Sequence, residues 1–131
     1  MNYLLKEVSS RGVEKVKEYN DYETLNAVFN SFLDKDLADI RSIYVIDAKT
    51  NTTLSLMTLV HGTNCVFSVG DTVKVRTNNN NLYVIKQFDF EVGEDCAHIE
   101  ILDENGVGTG RTKCFGLEGL SIEKKAKRGV R

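Results

Sequence analysis

Apolar and polar residues alternate through most of the chain, and one stretch departs from that pattern for the helical period. The stretch begins behind Asn20, which forms a capping box with Glu23 three residues later. Tyr22, Leu25, Val28, Phe29, Phe32 and Leu33 then recur at helical spacing, which predicts an amphipathic helix running to about Asp34. Tyr3 to Val8 ahead of it has the length of a strand. Beyond it, Ser42 to Asp47 and Thr53 to Val60 are rich in β-branched and aromatic residues and flank the turn residues Lys49-Thr50-Asn51, so they predict a hairpin. The first part of the chain therefore reads as strand, helix, strand, strand.

From Gly62 the pattern becomes one of short strands and turns. Thr72 to Arg76 alternates with Val73 and Val75 inward, and Asn78 to Asn81 supplies the residues of a tight loop. Leu82 to Phe90 is a long second strand whose alternation slips near Lys86-Gln87, the mark of a bulge. Cys96 to Leu102, Arg111 to Phe115 and Leu120 to Ile122 complete a set of five, the last preceded by a single tight turn at Gly116-Leu117-Glu118-Gly119. Proline is absent, so no stiff linker marks a boundary and turns fall to Gly, Asn and Asp.

Five short strands with one tight turn before the last are similar to the SH3-like barrel. Val69-Gly70-Asp71-Thr72-Val73-Lys74-Val75 resembles the opening strand of its KOW and Tudor-type members. Asn78 to Asn81 stands where the KOW pattern has a glycine-rich segment. The resemblance covers roughly the C-terminal half and implies a five-stranded SH3-like β-barrel over 62–123. With the strand-helix-hairpin unit read from the pattern over residues 1–61 packed on it, and a basic tail over 124–131, the expectation is an α+β protein. The whole layout, in an asparagine-rich chain, is also similar in style to small early proteins of tailed bacteriophages. Small barrels of this kind bind partners, which makes a non-enzymatic binding protein the expectation.

Charge narrows the choice of partner. Across 131 residues the formal net charge is −2, which excludes coating of nucleic acid by bulk electrostatics. Its distribution is segregated, with acids at Asp89, Glu91, Glu94 and Asp95 and again at Asp103 and Glu104. Cations gather at Arg111 and Lys113 and from Lys124 to Arg131. No apolar run is long enough to span a bilayer and the N-terminus lacks the features of a signal peptide, so a cytoplasmic protein with no membrane partner is expected.

Several constellations suggest chemistry and then fail on spacing. Cys65, Cys96 and Cys114 with His61 and His98 are the soft ligands, but they are not arranged in the close pairs of a zinc site and read as reduced thiols. Cys96 or Cys114 with His98 and Glu100 would sit on a flat sheet face without a pocket, so no catalytic set is assigned. Gly106 to Gly110 precedes a strand rather than a helix, which makes it a hairpin tip and not a phosphate loop. No metal and no cofactor is expected.

What remains is a basic group. Lys74, Arg76 and Lys86 are expected to face outward on the first two barrel strands, Arg111 and Lys113 on the fourth, and Lys124, Lys125, Lys127 and Arg128 to add a mobile positive tail. Near Tyr83, Phe88 and Phe115 such cations suit a phosphate backbone with occasional base stacking. The leading expectation is a nucleic-acid-binding protein, phage-encoded and modulating host transcription or DNA metabolism. The competing one is an inhibitor of a host enzyme or defence factor, acting through the acidic loops or through Tyr19 and Tyr22.

Overall fold

The structure, a computed structural model, describes residues 2–34, 39–60, 62–91 and 94–126. The strands are β1 (Tyr3–Ser9), β2 (Glu14–Tyr19), β3 (Ile40–Asp47), β4 (Thr52–Val60), β5 (Thr63–Ser68), β6 (Thr72–Val75), β7 (Asn78–Glu91), β8 (Glu94–Leu102), β9 (Gly108–Gly116) and β10 (Leu120–Lys124). They form two antiparallel five-stranded sheets, ordered β2-β1-β3-β4-β5 and β10-β6-β7-β8-β9. One α-helix, α1 (Tyr22–Ser31), lies between β2 and β3 among the described residues. The chain divides into two compact units after Val66. No helix among the described residues is long and apolar enough to cross a membrane.

This corrects the expected α+β architecture. The protein is mostly β, and neither the three-stranded strand-helix-hairpin unit nor the closed SH3-like barrel is present. Two strands were illegible. Glu14-Lys15-Val16-Lys17-Glu18 carries charges on both faces because β2 is an exposed edge, so it shows no apolar stripe. Residues 63–68, placed on the barrel side of the expected boundary and given no strand there, form β5, the last strand of the first sheet. In the second sheet, closure requires β9 to pair with β10. Here they are the two outer strands, joined by a 3-10 turn over Leu117–Gly119.

In the first unit, Leu5, Ile43, Val45 and Met57 on one sheet face meet Leu25 and Phe29 from α1. Fully burying a side chain of this size stabilises by roughly 1.5–3 kcal/mol. Tyr19 and Tyr22 pack against this cluster, and the Tyr22 ring meets Tyr3 edge-on at 5.5 Å. The helical stripe ends at Phe32, where the chain tightens into a 3-10 turn and leaves Leu33 42% exposed.

The helix cap is Asp21 rather than the expected Asn20. Its carboxylate accepts from the Glu23 and Thr24 N–H groups and from the Thr24 hydroxyl. These bonds, the Thr24 hydroxyl first and the Glu23 N–H next, hold its carboxyl below the ordinary 3.8. A folded-state pKa below the unfolded one means that the cap contributes fully above the ordinary carboxylate range. Its contribution is lost as pH falls through the lowered folded value. Asp21→Asn keeps an N-cap acceptor without the titration. Amide exchange of α1 measured down an acid series should show an extra loss of protection in the native chain that the Asn variant lacks. Identical acid profiles would contradict this assignment.

In the second unit the buried face carries Val73, Val75, Tyr83, Ile85, Ala97 and Ile99. The alternation slip near Lys86 is a register shift between Ile85 and Gln87. Asn78 to Asn81, expected as a loop, is the start of β7, because Val75 already pairs with Asn78 and the turn contracts to Arg76-Thr77. Of the expected hairpin tip, Gly106 and Val107 lie in the turn after Asp103, whereas Gly108 to Gly110 belong to β9. A side chain on Gly108 would meet the Glu100 carboxylate, whose Oε2 accepts the Gly110 N–H at 2.7 Å. The glycines let β9 close over that carboxylate.

Candidate nucleic-acid interface

The register of the second sheet sorts the predicted cations onto different faces. Residues directly opposite in an antiparallel pair share a face. Lys113 lies opposite Ile99, and Phe115 opposite Ala97. By alternation Arg111, Lys113 and Phe115 therefore project to the side of Ile85 and Ile99, whereas Thr112, opposite Glu100, and Cys114, opposite His98, project to the other. Lys74 and Lys86 belong to that other face. Lys74 flanks the inward Val73, and Lys86 reaches Glu100.

Three of the predicted cations are already paired. Lys74 Nζ lies 3.4 Å from Glu123 and Lys86 Nζ 3.7 Å from Glu100. Lys125 Nζ lies 2.9 Å from Asp71, a carboxylate with no exposure at all. Asp71 also accepts the Ser68 N–H and the Ala126 N–H, each at 2.8 Å, so the segment after β10 is pinned to the turn before β6. Gly70 in that turn has φ +94°, and an added Cβ would press on the Ala126 side chain at 3.2 Å. The Val69-Gly70-Asp71 motif is thus an anchor for the C-terminal segment. Lys124 is exposed at the end of β10, on the far side of the sheet from β9. Lys127 and Arg128 lie outside the described residues, as does His61.

Arg76, Arg111 and Lys113 are exposed and make no ion pair among the described residues. Lys113 instead lies over two rings, 5.1 Å from the centroid of Tyr83 and 5.4 Å from that of Phe115. Such contacts are worth about 0.5–1 kcal/mol each at an exposed site. Tyr83, Ile101, Arg111, Thr112 and Lys113 line a shallow depression of about 140 Å³. Phe115 is half-buried and packs in the space left by the missing side chain of Gly119, whose carbonyl accepts the Arg76 N–H at 2.8 Å. Arg111 and Lys113 share the depression and Lys113 lies over Phe115, whereas Arg76 meets this region only through its backbone bond to Gly119. The aromatic members were foreseeable in part, since Phe115 lies two residues from Lys113. The pairing of Tyr83 with Lys113 depends on a register that the sequence does not encode locally.

The remaining constellations take structural forms. His98 Nε2 is 3.1 Å from Asp89, not paired with Glu100, and the Glu100 carboxylate is held by Lys86 and the Gly110 N–H. Cys96 is buried, Cys65 half-buried and Cys114 exposed, and none of the three forms a disulfide. No group of three or more metal-ligating side chains converges among the described residues. Among the acids, Asp103 accepts the Asn105 and Val107 N–H groups and organises its turn. Glu91 and Glu94 have side chains outside the description. The chain matches no known family model, no curated protein and no solved structure.

Proposed function

We propose that this is a small non-enzymatic binding protein that contacts nucleic acid through the β9 face, acting in the cytoplasm as a phage-encoded modulator of host transcription or DNA metabolism. One observation carries the nucleic-acid reading. Arg111 and Lys113 are exposed cations on one face of an outer strand, beside aromatic rings and without carboxylate partners among the described residues. The phage assignment rests on the likeness in style alone. The acidic alternative has less support, because Asp89 is paired with His98 and Asp103 is committed to its own turn.

Phosphate contacts release counterions, so affinity should fall steeply with salt. In a mobility-shift titration across salt concentrations, Arg111→Ala and Lys113→Ala should each weaken binding and reduce the salt slope by about 1. Lys74→Ala and Lys86→Ala, which lose ammonium groups already facing Glu123 and Glu100, should leave the slope near that of the native chain. Absent or salt-independent binding would overturn the proposal.

A further inference from the structure

The geometry points to a single-stranded nucleic acid as the ligand of this face, laid along β9 with phosphates at Arg111 and Lys113 and a base stacked on Phe115. This inference rests on the nucleic-acid reading above and narrows it. Alternate residues of a strand stand about 7 Å apart on one face. Arg111, Lys113 and Phe115 thus present cation, cation and ring in line, a spacing that suits consecutive nucleotides of an extended strand. A duplex offers its phosphates to a surface but keeps its base faces stacked inside, so the half-buried Phe115 ring would have nothing to meet. The depression lined by Tyr83, Ile101, Arg111, Thr112 and Lys113, about 140 Å³, has room for one unstacked base, which a duplex does not offer.

Lys113 gives the site its order of events. Its ammonium lies over the Tyr83 and Phe115 rings. A phosphate arriving beside Arg111 offers a stronger, charge-assisted partner than the ring faces do. The ammonium moves onto that phosphate and uncovers the Phe115 ring, on which the base then stacks. Phosphate and base recognition are coupled through one side chain. Duplex DNA, which supplies only the first half of the exchange, is the weaker ligand.

The test is fluorescence anisotropy with an oligothymidylate of about twelve nucleotides, compared with a duplex of the same length at low salt. The single strand should bind about tenfold tighter or better. Phe115→Leu should cost about tenfold for the single strand while leaving the salt slope and the duplex affinity unchanged, and Phe115→Tyr should restore it. Because Phe115 also packs on Gly119, thermal unfolding of each variant accompanies the titration. A Leu variant that is folded and binds the single strand like the native chain overturns the inference. So does equal binding of duplex and single strand, and in both cases nucleic-acid binding itself stands. Failure of both probes to bind removes the broader reading as well.

Discussion

Asp71→Ala should lower the stability of the second unit by about 2–4 kcal/mol, the largest effect expected from any single polar substitution in the chain. Three donors converge on this fully buried carboxylate, and two of them come from the segment after β10. Truncation leaves the Ser68 N–H buried without its acceptor, which alone costs about 1–3 kcal/mol. The Lys125 ammonium is about half exposed and recovers much of its solvation, so the ion pair adds little to the total. Asp71→Asn should cost less, since its one carbonyl oxygen still accepts from Ser68 and Lys125 while its amide opposes the Ala126 N–H. Urea unfolding followed by circular dichroism gives the stability, and amide exchange at Ala126 reports release of the segment. A loss well under 1 kcal/mol for the Ala variant would show that the anchor is dispensable.

The double variant Arg111→Glu with Lys113→Glu should lose nucleic-acid affinity by at least about a hundredfold while folding normally. Hydrogen bonds to charged groups contribute about 1.5–3 kcal/mol each, so two of them account for that factor before repulsion is added. Both residues are exposed and neither makes an ion pair among the described residues, so reversal breaks no salt bridge there. Lys113 does leave the Tyr83 and Phe115 rings, at a cost of about 1–2 kcal/mol of packing. Reversing Lys74 and Lys86 instead is the matched control in net charge. Equal losses in the two double variants would mean that overall charge, not the β9 face, drives binding.

The two cation pairs also explain why the basic group could be seen in the sequence but not resolved. Lys74, Lys86, Arg111 and Lys113 all stand at outward or edge positions of strands, and residue type alone makes them equivalent. Glu100 and Glu123 separate them, and both lie elsewhere in the chain, 14 and 49 positions from the lysines they meet. A similar loss of information affects the acids. Asp71 reads as a turn residue, while its burial depends on Lys125 and Ala126, 54 and 55 positions away.

By itself the sequence determined the local elements whose cause is local. The helix over Tyr22 to Ser31 follows from apolar spacing, the slip in β7 from broken alternation, and the last tight turn from Gly116 to Gly119. It also pointed to the β9 cations and the neighbouring ring as candidates. Only the tertiary structure decided that β2 is a strand, that the second sheet stays open between β9 and β10, and that three of the candidate cations face carboxylates. The reason is physical. An edge strand carries no apolar stripe to be read, and strand pairing and ion pairing join residues whose separation in sequence leaves no trace in the composition of either segment.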